Sequence, residues 1–260
     1  MTTTAAPLRR TLFGAAGIAV ALGVWELAAI GPLRASPLPT ASASITEMLR
    51  LLGDRGMWVS TGETLYMAIV GLGIAAVIGV VLGLVTGISP LAMHATRVPV
   101  EFLKPIPPIV ILPIAVLVLG PTMEMGTFLV VMGCFIAIAV QTSAGVFDTN
   151  PVARATGRSY GLNRVQVVQS IVLPSALPYV GTALRVAAPT ALIIAVVAGL
   201  LGGGPGLGRS LLLSQMGGDQ ERLFAYVLIL GLLGLVFQGL GTWGERRLLH
   251  WHPQYRKEAH

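Results

Sequence analysis

Uncharged runs of about twenty residues recur along this chain, and polar and charged positions gather in the short intervals between them. A helix of that length rises about 30 Å, the thickness of the hydrocarbon layer of a bilayer. Reading for such runs predicts six membrane-spanning helices, at residues 11–30, 64–88, 98–119, 125–147, 178–201 and 223–243. The third is the least regular, with Pro105, Pro107, Pro108 and Pro113. Each proline removes a backbone donor and crowds the preceding turn, so this helix is expected to break or kink at its start. Such breaks survive at membrane depth where the freed carbonyls are buried in protein or line a wet cavity, which makes Pro107 and Pro108 candidate pathway residues; a proline-bent packing helix is the alternative.

Small residues recur every fourth position in two runs. The second span carries Gly71, Ala75, Gly79, Gly83 and Gly87, and the fifth carries Ala187, Ala191, Ala195 and Gly199. Such ridges let helix backbones approach closely within a membrane, so these two spans are expected to form an inner bundle whose ridges are sliding contacts.

Two intervals between spans have patterns of their own. Residues 37–53 place Ile45, Met48, Leu49 and Leu52 on one helical face, which predicts an amphipathic helix lying on the outer membrane surface. Residues 148–175 are too long for a simple connector. Asp148 and Asn150 offer N-cap oxygens ahead of Pro151, and Gly161 offers a stop, so a two-turn helix is predicted over Val152 to Tyr160 with Arg154 and Arg158 one turn apart. A second short helix is predicted from Asn163, with Val165, Val168 and Val172 on one side and Pro174 and Pro178 ending it before the fifth span. A small cation-bearing helix on an amphipathic base suits a membrane domain that a cytoplasmic partner pushes on. A positively charged loop doing only topological work is the other reading.

Composition agrees with the pattern. Hydrophobic types make up 54% of the 260 residues and charged types 11%, with a mean hydropathy of +0.80. A water-soluble domain carries about 25% charge, so an ordinary soluble fold is excluded. The lone Cys134 lies inside a span and permits no intrachain disulfide. The net charge of +6 would suggest nucleic acid in a soluble chain, but here the cations read as topology signals. With a cytoplasmic N-terminus, twelve cations face the cytoplasm (Arg9, Arg10, Arg97, Lys104, Arg154, Arg158, Arg164, Arg185, Arg246, Arg247, Arg256 and Lys257), and five face outward (Arg34, Arg50, Arg55, Arg209 and Arg222). Both termini are therefore expected inside. The first run is read as a retained span, being too long for a signal segment and lacking a clear small-x-small cleavage site.

The loop after the fourth span resembles a known one. Gly161, the nine residues after it, Ile171, Leu173, Pro174 and the continuation Ala176-Leu177-Pro178-Tyr179 are similar to the cytoplasmic loop of ATP-binding-cassette importer permeases. Ser36-Pro37-Leu38-Pro39-Thr40, Phe102 to Pro108, Leu112-Pro113 and Gly206-Leu207-Gly208 follow in the order seen in the sulfonate, taurine and nitrate permease group, and the similarity runs from Ser36 to Trp251. The resemblance implies an all-α, six-span transmembrane domain of the type I importer class, occupying residues 1–260 as one domain. It further implies a homodimer in a prokaryotic inner membrane, two copies of a separate ATPase that hold ATP and Mg, and an extracytoplasmic solute-binding protein. The ATPases would grip the loop helix at Arg154, Ala155, Thr156, Gly157, Arg158 and Gly161, and the cargo would be a small anion. Two departures stand out. The loop usually opens with Glu-Ala-Ala where this chain has Ala155-Thr156-Gly157, and a carboxylate common in the fifth span is replaced by Gly199.

Other chemistry is thin. A phosphate-binding loop needs Gly-Lys-Ser/Thr, and neither Lys104 nor Lys257 follows a glycine, so this chain is expected to be no enzyme and to bind no cofactor. An ion-coupled carrier or channel, the alternative function, needs ionisable groups inside the bundle. Only Glu26 lies within a span; Glu63, Glu101, Lys104, Glu124, Arg185 and Glu245 sit at predicted edges, where snorkelling is expected to satisfy them. Gly157-Arg158-Ser159-Tyr160-Gly161 spells a hydrolase elbow without the strand that motif requires. Gly71-x-Gly73-x-x-Ala76 imitates a dinucleotide fingerprint in mid-membrane, and His250 with His252 lack a third metal ligand. The glycines around Pro205 read as a turn over the pathway mouth.

Overall fold

A computed structural model describes residues 5–249, with side chains for 13–247 and for Leu249. His250, His252, Arg256 and Lys257, the side chains of Arg9 and Arg10, and Trp251 at the end of the family similarity lie outside the described residues. Every regular element among the described residues is a helix: α1 Ala5–Ile30, α2 Ala41–Leu51, α3 Arg55–Ile88, α4 Pro90–Leu103, α5 Pro108–Leu119, α6 Met123–Phe147, α7 Pro151–Ser159, α8 Arg164–Val167, a π turn Val168–Val172, α9 Leu173–Gly202, α10 Leu207–Met216 and α11 Gln220–Leu248. Five stretches are long and apolar enough to cross a membrane, and the pair α4 and α5, bent by 89°, makes a sixth if it is one broken span. An all-α polytopic membrane protein follows.

The expected break is present. The chain leaves α4 at Lys104 and re-enters a helix at Pro108, where a proline in the first turn lacks no donor that the helix would have used. Other helix starts are fixed by side-chain caps. Ser89 Oγ accepts from the Ala92 N–H, Thr122 Oγ1 from Met125 and Asn150 Oδ1 from Val152, each satisfying an amide the helix leaves orphaned.

One compact unit comprises the chain up to Trp58 together with Ser210–Gly231. Within it Trp25 Nε1 donates to Pro39 O at 3.0 Å, and the Glu26 carboxylate accepts from both the N–H and the hydroxyl of Ser42, at 3.0 and 2.8 Å. The only carboxylate assigned to a span interior is thus anchored to the first turn of α2. Ala41, Ser44 and Leu51 are the buried face of that helix, while Leu49 and Leu52 of the predicted apolar stripe are exposed.

The second unit comprises Val59–Arg209 and the chain from Leu232 onward. Its core is organised by α6. The glycine ridge of α3 lies along one side of that helix: a methyl group at Gly71 would come within 2.6 Å of Val130 Cβ, at Gly79 within 2.7 Å of Phe135 O, and at Gly83 within 2.5 Å of Ala139 O. The alanine ridge of α9 enters the same core, with Ala187, Ala191 and Ala195 buried beside Val130, Cys134 and Ile138. Glycines of α6 receive α9 in return, Gly145 taking the Tyr179 ring and Gly126 standing 3.6 Å, at its would-be Cβ, from Ala198. Both small-residue ridges meet the fourth span, where α6 supplies the branched side chains and glycine hollows that complement them, so that α3 and α9 pack about α6 in one core.

Two expectations for the loop fail. Pro174 and Pro178 do not end the second short helix: α8 passes through the π turn directly into α9. The wider turn Val168–Val172 stands next to Pro174, which falls in the first turn of α9, and Pro178 is tolerated inside that helix. Nor does Asp148 cap α7; it closes the C-terminus of α6 and its Oδ2 accepts the Tyr179 hydroxyl.

Candidate functional site

The loop helix α7 is short, begins at the Asn150 cap with Pro151, and closes at Gly161, whose φ of 85° suits glycine. Asn163 and Gln166 then cap each other reciprocally at 2.8 and 2.9 Å, starting α8. Gly157 is the buried residue of α7, and a methyl group there would lie 2.7 Å from Ile171 Cδ1. Arg154 and Arg158 do not form one free cationic ridge. Arg154 turns inward and Nη2 donates to Val146 O at the end of α6, whereas Arg158 stays exposed with Nε donating to Arg154 O. The outward surface is formed by Val152, Ala155, Thr156, Arg158, Ser159 and Tyr160, with Val152 68% and Tyr160 85% exposed. A mixed knob, apolar at Val152 and Tyr160 and cationic at Arg158, is therefore strapped to the end of α6 by the half-buried Arg154.

The same end of this unit is stiffened by Tyr179, whose ring fills the hollow at Gly145 while its hydroxyl reaches Asp148. Motion of α7 is thereby tied to α6 and to the start of α9. At the far end of α9, Gly199 is buried beneath the Pro205–Arg209 turn, its would-be Cβ lying 3.3 Å from Gly208 Cα and 3.2 Å from Arg209 N. There is no room for a carboxylate at this position. The turn is held on α3 as well: Leu207 N–H donates to the buried Thr64 Oγ1 at 2.9 Å, and Gly206 has a φ of 110°. Thr64 thus caps a helix from another element, which no local spacing could announce.

Between α6 and α9 lies a cavity of about 220 Å³ whose wall includes Gln141, Thr182, Thr190, Cys134 and Gly133. Pro108 comes close to Gly133 on α6, so the proline break and this helix pair adjoin, while Pro107 only precedes α5 as its N-cap position. Gly71, Ala75, Gly79 and Gly83 stand on the α3 to α6 seam, and Ala191, Ala195 and Gly199 on α9. The α7 residues form a separate cluster at one end. Beside the cavity, Glu245 is buried at 2% exposure, against the snorkelling expected of it: α11 extends past it to Leu248 and packs it on α9. Its Oε1 accepts from Thr182 Oγ1 at 3.0 Å and its Oε2 pairs with Arg185 Nη1 at 3.2 Å. Among the described residues no cluster of three or more metal-ligating side chains occurs.

Solved structures with the same fold include inward-facing conformations of the MetNI methionine ABC transporter, matched over 78% of this chain and 98% of that one with a TM-score of 0.65 and 22% identity. An amino acid ABC transporter matches over 78% and 97% with a TM-score of 0.63 and 17% identity. In sequence the chain is 26% identical to a nitrate import permease protein of Leptolyngbya laminosa over 90% of this chain and 86% of the other. It is 27% identical to the taurine transport system permease protein of Escherichia coli (strain K12), over 95% and 93% respectively. A putative aliphatic sulfonates transport permease protein of Bacillus subtilis (strain 168) is 22% identical over 91% and 86%. The family of binding-protein-dependent transport system inner membrane components matches residues 60–250, and this chain belongs to it as an ABC importer permease, a membrane component that is not itself the catalyst.

Proposed function

We propose that the chain is one half of a homodimeric permease in a prokaryotic inner membrane, both termini cytoplasmic, and that it carries a small anion inward. Two copies of a partner ATPase, holding ATP and Mg, receive the α7 knob in a surface groove, and an extracytoplasmic binding protein presents the solute at the opposite end. The observation that carries this reading is the geometry of α7: an exposed surface of Val152, Ala155, Thr156, Arg158 and Tyr160 on a helix tied to α6 through Arg154. A partner that closes on nucleotide displaces the knob, and Arg154 together with the Tyr179 to Asp148 bond passes the displacement to α6 and α9. These are the helices that wall the cavity, so rocking of the bundle alternates its access. With Ala155 in place of an acidic residue, the docking rests on Val152 and Tyr160 together with the exposed Arg158. For the cargo, the support is the nature of the relatives, whose names concern nitrate, taurine and sulfonates.

The test is replacement of Val152 to Tyr160 by a Gly/Ser linker of equal length in a complex with its ATPase, reconstituted with its binding protein. Membrane insertion is expected to persist while solute uptake falls to background. Uptake at the parental rate would remove α7 from the coupling path.

A further inference from the structure

Where α4 passes the ends of α3 and α6 nearest α7, it leaves a groove of about 350 Å³. Its floor is mostly apolar, with Leu82 of α3 and Val140, Ala144 and Phe147 of α6 beside Thr86 and Ser143, and its α4 wall carries Arg97, Glu101 and Lys104. Lys104 makes no side-chain hydrogen bond or ion pair among the described residues, and Arg97 gives only Nε to Glu101 Oε1, at 3.0 Å, leaving its terminal nitrogens for another acceptor.

The other side of α4 shows what surrounds it. Leu91, Val98 and Phe102 are 81%, 72% and 69% exposed and recur at helical spacing on one stripe, and α4 buries no residue at all. A helix with an apolar stripe on one side and exposed cations on the neighbouring, groove-facing side, ending at an 89° break, lies at the level of lipid headgroups. Lipid over this stripe places headgroups beside the cations, which suits an occupant that is anionic at one end and apolar along its length. A small free anion would leave the apolar floor unused, and a neutral lipid would leave two cations facing one carboxylate. Basic pockets between membrane helices hold acidic lipid headgroups for this reason.

We propose that this groove binds an anionic phospholipid, its phosphate between the Arg97 guanidinium and the Lys104 ammonium and its acyl chain along Leu82, Val140 and Phe147. Only the leaflet assignment, the cytoplasmic one, depends on the topology proposed above. Bound there, the lipid fills the space between the broken span and α6, and so stiffens the element from which α7 hangs.

The test is native mass spectrometry of the full permease and ATPase complex, exchanged into phosphatidylglycerol or phosphatidylcholine of identical chains. Phosphatidylglycerol is expected to be retained at about tenfold lower lipid concentration. The Arg97→Gln/Lys104→Gln double variant loses that preference, Arg97→Lys/Lys104→Arg keeps it, and Glu101→Gln strengthens it. Equal retention of the two lipids, or an unchanged preference in the double variant alongside a neutral control such as Arg34→Gln, overturns the proposal. So does inorganic phosphate that is retained without lipid and displaces phosphatidylglycerol at millimolar concentration, which would make this a small-anion site. None of these readouts involves uptake, so a failed transport assignment and a failed lipid site are told apart.

Discussion

A glycine in a membrane helix is innocuous until another backbone rests against it, and the spacing of glycines cannot say which of them are covered. Gly73 and Gly83 both lie on α3, but a methyl group at Gly73 meets open space whereas one at Gly83 reaches Ala139 O and Thr142 Cβ, both at 2.5 Å. A carbonyl and a β-branched carbon on a neighbouring helix cannot rotate away, so Gly83→Ala forces α3 off α6. Overpacking of this kind costs about 1–3 kcal/mol, while Gly73→Ala is neutral or gains up to ~1 kcal/mol from helix propensity. Thermal unfolding of the purified protein in one detergent separates the two, and equal melting points would contradict the seam. The fourfold period was legible in the sequence, and Gly71, Gly79 and Gly83 lie against α6 in the structure. Their partner was not legible, because α6 contributes Val130, Ile138 and Thr142 at positions that look like any apolar run. Thr64 was invisible for a related reason: its hydroxyl caps Leu207, 143 residues away in the chain.

Elements carry a different kind of information. The caps at Asn150 and Asn163 and the stop at Gly161 are local devices, and local spacing located α7 and the start of α8. What local spacing missed is the continuity of α8 with α9, since a π turn relieves a proline that would otherwise end the helix. It also misplaced Glu245, because the length of α11 past its apolar run puts that carboxylate against α9 rather than in water. The resulting pin between α9 and α11 has a testable consequence. Removing Arg185 leaves a carboxylate that is 1% exposed with Thr182 as its remaining donor, and with the arginine itself 42% exposed the expected loss is about 2 kcal/mol. Arg185→Met combined with Glu245→Met removes both charges and fills the same space, so the double variant is expected to recover most of that loss. A double-mutant cycle on thermal stability measures the coupling; additive single effects would show that the pair contributes nothing as a pair.

At the scale of the molecule the arrangement depends on sidedness, since a coupling knob is useful only where nucleotide is present. The positive-inside asymmetry argues for a cytoplasmic α7, and chain order adds a constraint: between Tyr160 and Met216 runs one continuous apolar stretch, Arg164–Gly202, long enough to cross the membrane. If that stretch spans, the two residues face opposite compartments, and both are well exposed, at 85% and 76%. The single native cysteine, Cys134, is 1% exposed and can be replaced by alanine to leave a clean background. In that background Met216→Cys is expected to react with a membrane-impermeant maleimide on intact cells, whereas Tyr160→Cys reacts only after permeabilisation. The reverse pattern would put α7 outside, away from any ATPase, and reaction of both from outside would mean that α9 does not span. In cells that lack the ATPase, whose docking would cover Tyr160, exposure is high at both positions, so a negative result at either one reports compartment and not burial within this chain, and the labelling decides whether α7 stands where a nucleotide-driven partner can reach it.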